Sequence, residues 1–261
     1  MKVCIDPGHN STGKDTGAEG YGLKEQDITL ILGRKVRELL IGYGVTVVMT
    51  RDGDNAPSTA TVETSLSSRV ALSNAARADY FISIHTNASD THSGTGSEVF
   101  ALKAGGEGEK LASVIAPKLA IAGLWANRGV KFGNLQVLRD TDAPAVLCEC
   151  GFIDYASDAV KLKDDVYLQR IAKAIADGFA EYKGLSTINQ PPTSEPVNKV
   201  PVTSTPPKGD NITPLNGDKG WDEYTEDGRR IIHATNYAYL TIGTDGSVWS
   251  YGPNRDAIKL A

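Results

Sequence analysis

The 261-residue chain carries 27 basic and 32 acidic side chains, a formal charge of −5 at neutral pH. That balance leaves no basic footprint for a nucleic acid to grip, and nucleic acid is set aside as a partner. No apolar run reaches the ~18 residues that span a bilayer, so stable membrane association is not expected. The length suits one large domain, or one large and one small. No charged segment followed by an apolar core opens the chain, so a secretory signal is not expected, and Met1 directly before the first apolar run favours a native start.

Val3, Cys4 and Ile5 run into Asp6-Pro7-Gly8-His9-Asn10, which reads as a buried strand stopped by a tight turn. Asn10 to Gly22 is a polar, glycine-rich loop without periodicity. Ile28, Ile31, Leu32, Val36, Leu39, Leu40 and Tyr43 then recur at helical spacing, ended by Gly42 and Gly44, and Val45 to Thr50 is a β-branched strand. This strand, helix, strand unit marks a parallel sheet. After a polar stretch over 53–64, Leu66, Val70, Leu72, Ala75 and Ala76 predict a short amphipathic helix, and Tyr80 to Ile84 a strand that delivers His85.

Ser97 to Leu102, Asn134 to Leu138 and Ala145 to Cys150 read as further strands. A helix is expected around Leu111, Val114, Ile115 and Leu119, with Pro117 shifting its start or kinking it. The last helix of this part runs from about Asp165 to Tyr182, closed by Gly184. The fold class expected is α/β, a twisted, mostly parallel mixed sheet flanked by helices, with a small C-terminal β-rich module.

Three domains of character follow: a catalytic domain over 1–184, a Pro/Ser/Thr-rich linker over 185–211, and a β-rich module over 212–261. Within the module, Arg230 to Ala234, Tyr237 to Gly243 and Ser247 to Gly252 read as strands, with a hairpin turn at Thr244-Asp245-Gly246. Its aromatic residues, Trp221, Tyr224, Tyr237, Tyr239, Trp249 and Tyr251, suit either sugar stacking or the core of so small a unit. Cell-wall binding is the expected role, with oligomerisation as the alternative.

Two strands that each end in a histidine, His9 and His85, suggest one metal, since ligands gather at the carboxyl ends of strands in open α/β sheets. Catalytic zinc takes three protein ligands and keeps a position for water. Glu25 is the best third ligand, although an acid at a helix start also complements the helix dipole. Glu149 stands inside the apolar run Ala145-Val146-Leu147-Cys148-Glu149-Cys150, where a lone charge is costly. Either it is a proton-transferring carboxylate beside a metal, or it pairs with a nearby base such as Arg139. Arg51, Arg69 and Arg128 read as structural, and His92 and His233 as surface residues. Cys4, Cys148 and Cys150 are odd in number and lie in apolar runs, so they read as buried free thiols.

Asp6-Pro7-Gly8-His9, Gly22 to Asp27, Thr50-Arg51-Asp52, Ser68-Arg69 with Asn74, Ala78 to Asn87, Asn127-Arg128-Gly129-Val130-Lys131 and Leu147 to Ile153 together resemble the zinc-dependent N-acetylmuramoyl-L-alanine amidases. The blocks occur in the family's order across residues 1–183. By that resemblance His9, Glu25 and His85 would ligate Zn²⁺ and Glu149 would be the catalytic carboxylate, with bacterial peptidoglycan as substrate. Asn87 is a donor candidate for the oxyanion, or a loop cap. Cys148 and Cys150 replace residues that are commonly small or apolar, a change a thiol tolerates. The rival enzyme readings are a carboxypeptidase-like or deacetylase-like zinc hydrolase, and the non-enzymatic one a wall-binding module. A phage or prophage endolysin, made in the host cytoplasm and acting on the wall after release, fits the missing signal, with a bacterial autolysin as the alternative.

Overall fold

A computed structural model describes residues 1–53 and 60–186, and beyond them the backbone of five strands between 221 and 259. Two compact units divide the chain, residues 1–191 and 192–261.

In the first unit, β1 (Lys2–Pro7) leads through a short hairpin, β2 (Glu19–Gly20) with β3 (Leu23–Lys24), to α1 (Glu25–Gly42) and β4 (Thr46–Met49). The hairpin lies in and just beyond the stretch read as a featureless loop. α2 (Val62–Ala76) precedes β5 (Tyr80–Asn87) and β6 (Ser97–Ala101). α3 (Glu107–Gly123), β7 (Asn127–Phe132), α4 (Gln136–Arg139), β8 (Ala145–Phe152), α5 (Ala156–Leu162) and α6 (Asp165–Lys183) complete it.

The sheet order is β4-β1-β5-β8-β6-β7. β4, β1, β5 and β8 run parallel, while β6 pairs antiparallel with β8 and β7 follows β6 in parallel. This reversal has a functional consequence. It brings the N-terminal ends of β6 and β7 to the same sheet edge as the C-terminal ends of β1, β5 and β8.

Strand alternation sorts side chains between two cores. Val3, Ile5, Ile82, Ile84, Val146, Cys148 and Val99 pack with α1, α3 and α6, through residues such as Leu32, Ile115 and Ile175. Cys4, Phe81, Ala145 and Leu147 face the other way, onto Val70 of α2 and Val137 and Leu138 of α4. By the same alternation Asp6, Ser83, His85, Glu149 and Glu98 lie on the second face, towards its polar end. All three cysteines are buried and free.

Several expectations are corrected. The strand read at Asn134 to Leu138 is the single helical turn α4, and the sixth strand is β7 upstream. β7 sits at the sheet edge with Asn127, Arg128 and Phe132 exposed, so the two-residue alternation of a half-buried strand is weak there. α2 begins at Val62 because Thr61 and Thr64 cap each other reciprocally, Thr64 N donating to Thr61 Oγ1 and Thr61 N to Thr64 Oγ1, both at 3.0 Å. Its inward face is mostly polar: Ser65, Arg69 and Ser73 are buried beside Val70, while Leu72 is 45% exposed. Ile31, expected inward on α1, is likewise exposed. α3 continues through Pro117, starting at Glu107, and α5 had no expected counterpart.

In the second unit, β9 (Trp221–Glu226), β10 (Arg229–Ala234), β11 (Ala238–Ile242), β12 (Val248–Tyr251) and β13 (Ala257–Lys259) pair consecutively and antiparallel. β11 and β12 fall within expected strands, and β10 covers the third, starting one residue earlier at Arg229. The turn at Thr244-Asp245-Gly246 and linker residues 187–211 lie outside the described residues.

Candidate metal centre

β1 ends at Pro7, and Gly8 N donates to Ile84 O of β5 at 2.9 Å. His9 follows in the left-handed region, φ 61°, which a side chain adopts only at a cost and which needs surrounding support. Two buried arginines supply it. Arg69 reaches from α2 to donate to Pro7 O, His9 O and Asn10 Oδ1 at 2.7–2.8 Å, and pairs with Asp6 Oδ1 at 2.7 Å. Arg51 donates to Pro7 O and Gly8 O at 3.1 Å and to Gln26 O at 2.6 Å. The structural role read for both arginines is thus specific: they tie the turn that aims His9 to α1 and α2.

Glu25 is the first residue of α1 and is buried. Its carboxylate turns inward, away from a simple dipole role. Oε2 accepts from Ala18 N at 2.9 Å and lies 3.2 Å from His9 Nε2. Oε1 accepts from Thr86 N at 2.9 Å and lies 3.0 Å from His85 Nδ1. One ligand atom from each of His9, Glu25 and His85 falls within 4.8 Å of the others, the one such group of at least three His, Cys, Asp or Glu side chains among the described residues. Tetrahedral zinc with bonds of ~2.1 Å separates its ligands by roughly 3.4 Å, which suits this set.

The shell behind the ligands also fits a cation. Asp15 Oδ1 meets His9 Nδ1 at 2.6 Å, leaving Nε2 for the centre, as carboxylate partners do behind metal-binding imidazoles. Asp15 is held by Ser65 Oγ at 2.7 Å. Burial alone would lower the His9 pKa, but hydrogen bonds and negative charge from Asp15 and Glu25 raise it to about 9. Burial alone would raise Glu25, yet both histidines hold it well below the usual carboxylate range. The pocket therefore favours positive charge. Glycines close its walls: a Cβ on Gly8 would lie 2.3 Å from His85 Cε1, and one on Gly17 2.7 Å from His9 Cδ2.

Glu149 is the Cα partner of His85 across β5 and β8. Its Oε2 is buried and has no hydrogen-bond partner among the described residues. Burial pushes its pKa up to about 7; His85 pulls against this, while Glu25 and Glu98 add to it. The salt bridge to Arg139 does not form, because Arg139 pairs with its neighbour Asp140 at 2.7 Å. Arg139 lies on α4, which packs against the residues that open β8.

Asn87 donates Nδ2–H to Glu98 Oε1 at 2.8 Å and accepts from Ala88 N at 2.9 Å. Glu98, buried opposite Glu149, also accepts from Arg128 Nε at 2.8 Å. His92 is exposed and meets Asp154 at 2.9 Å. Asp15 and Glu98 escaped the sequence reading. An acid in a glycine-rich loop is ordinary, so Asp15 carried no signal; Glu98 opens the apolar strand Ser97-Glu98-Val99-Phe100-Ala101, where the burial argument used for Glu149 would have found it.

A family model for N-acetylmuramoyl-L-alanine amidase matches residues 3–181. The chain is 38% identical over 182 residues to the N-acetylmuramoyl-L-alanine amidase LytC of Bacillus subtilis, a match covering 69% of this chain and 35% of LytC. It is 39% identical over 191 residues to the endolysin of Bacillus phage SPP1, covering 70% of this chain and 66% of the endolysin. Among solved structures, the catalytic domain of CwlV, an N-acetylmuramoyl-L-alanine amidase from Bacillus (Paenibacillus) polymyxa, aligns with TM-score 0.64 and 32% identity over 71% of this chain and 99% of that domain. With the match running from β1 into the last turn of α6, the chain belongs to the N-acetylmuramoyl-L-alanine amidase family.

Proposed function

We propose that residues 1–184 hydrolyse the amide between the lactyl group of N-acetylmuramic acid and L-alanine in bacterial peptidoglycan, with His9, Glu25 and His85 holding Zn²⁺ and Glu149 as the catalytic carboxylate. The observation that carries this reading is Glu149 Oε2, buried and without a partner among the described residues, beside the His, Glu, His cluster. A bound Zn²⁺ supplies a Lewis acid for the scissile carbonyl and lowers the pKa of a water at its open position.

Glu149 takes a proton from the attacking water and passes it to the departing L-alanine nitrogen, a role suited to a pKa near the working pH. Asp15 orients the His9 imidazole, and the amides of Ala18 and Thr86 orient Glu25. Asn87 retains a second Nδ2 hydrogen beyond the one given to Glu98 and is assigned as side-chain donor to the developing oxyanion.

Glu149→Gln should keep bound zinc and the fold while lowering turnover on purified cell walls by 10²–10⁴-fold. The wild type should expose the amine of L-alanine and free no acetate, which separates it from a deacetylase. Turnover by the variant near wild type would remove Glu149 from the mechanism.

The linker over 185–211 and the module over 212–261 are assigned to wall targeting. The similarity to a phage endolysin supports a lytic setting, in which the enzyme reaches the wall after release. Among the described residues no helix is long and apolar enough to cross a membrane.

A further inference from the structure

At the catalytic edge, the Cα pairings His85 with Glu149, Glu149 with Glu98, and Ser97 with Asn127 order a row of charged side chains from β5 to Arg128 on β7. Arg128 lies at the outer end of that row. Its Nε is bound to Glu98 Oε2 at 2.8 Å, and its guanidinium sits 5.1 Å from the centre of the Phe152 ring. Among the described residues Nη1 and Nη2 donate to nothing, and the side chain is 40% exposed. Glu98 is itself fixed by Asn87, so the guanidinium is gripped at one edge, supported on one face and open at the other edge. A guanidinium confined in this way presents a planar fork matched to a carboxylate.

We propose that Arg128 is a specificity-determining residue that binds the α-carboxylate of the second residue of the stem peptide; this rests on the muramoyl-alanine amidase reading above. Glu98 and Glu149 stand side by side at this edge, and an anionic peptide laid along it needs a cation facing its own carboxylate, which the open edge of Arg128 supplies. The reach agrees. Strands lie about 4.8 Å apart, so β7 stands roughly 10 Å from β8, and an arginine side chain spans part of that interval. In an extended stem the α-carboxylate of the second residue lies about 6–7 Å from the scissile nitrogen. If Arg128 served only to neutralise buried Glu98, its loss would change stability and leave substrate preference alone.

The test uses the full chain loaded with zinc and two soluble substrates, N-acetylmuramoyl-L-Ala-γ-D-Glu-L-Lys and its D-isoglutamine counterpart, both C-terminally amidated so that the α-carboxylate is the one difference. The wild type should prefer the D-Glu substrate by about tenfold in kcat/KM, mostly through KM. In Arg128→Met the ratio should fall to about one, and in Arg128→Lys to an intermediate value. Arg128→Met combined with Glu98→Gln removes both charges together, protects the fold from an unpaired buried acid, and should also give a ratio near one. A wild type that cleaves both substrates equally, or an Arg128→Met protein that keeps the preference, would overturn the assignment. Failure of the wild type to cut the muramoyl-alanine bond in either substrate or in purified walls would overturn the proposed function, and this assignment with it.

Discussion

Gly8→Ala is the smallest change that probes the metal centre without touching a ligand. The added methyl would sit 2.3 Å from His85 Cε1, 2.4 Å from Nε2 and 2.7 Å from Nδ1. Carbon atoms rest at roughly 3.5 Å, so ring or turn must yield by about 1.2 Å. Gly8 cannot yield easily, because its amide is bonded to Ile84 O and its carbonyl accepts from Arg51 and Thr29. The imidazole must therefore move, and metal sites tolerate about 0.2 Å. Lesions behind a ligand already cost 10–100-fold in affinity, so displacing the ligand itself should cost at least ~100-fold, or about 2.8 kcal/mol. Overpacking should lower fold stability by a further 1–3 kcal/mol, roughly. Chelator competition reads zinc affinity, and thermal unfolding with and without zinc reads stability. Gly42→Ala, whose Cβ would meet nothing within 4 Å, is the control: it should leave zinc affinity unchanged and, as a helical glycine, raise stability by about 0.4–1 kcal/mol. Zinc binding by Gly8→Ala within about threefold of wild type would show that the His85 ring is not confined as described.

Asp15→Asn removes the charge behind His9 and should weaken zinc binding about 10–100-fold while leaving the fold cooperative, as read by the same competition. Asp6→Asn removes the nearer of two acids on the buried guanidinium of Arg69, leaving Asp15 at 3.7 Å, and should cost about 1.5–3 kcal/mol in urea unfolding. Burial would raise the Asp6 pKa, but Arg69, Thr50 and Ser83 hold it below the ordinary carboxylate value. The stabilisation it confers is then complete above pH ~3.9 and fades as pH falls through the folded value. Wild type should accordingly lose more stability than Asp6→Asn on acidification below pH ~4; parallel losses would refute the Asp6 contribution.

Much of this centre was legible because burial is written into hydrophobic pattern. His9 and His85 stand where apolar strands stop, and Glu149 stands where an acid has no business among aliphatic neighbours. Glu25 was legible by position and ambiguous in role, since a helix-start acid serves the dipole equally well; the amides of Ala18 and Thr86 aim it inward. α2 was misjudged at its start, and Leu72 was read as inward, for a physical reason. The buried face of α2 is Ser65, Arg69, Val70 and Ser73; Ser65 and Arg69 are inside because they bind Asp6, Asp15, Asn10 and the turn carbonyls, and no periodicity of apolar residues records that.

Local sequence alone determined β1, β5 and β8, the parallel βαβ opening and three of the charged positions at the catalytic edge, because those follow from which residues avoid water over short spans. Tertiary structure alone decided that β6 runs against β8. Only that reversal sets Glu98 opposite Glu149 and carries Arg128 to the same edge, since strand direction depends on how distant segments pair and not on any single segment's composition.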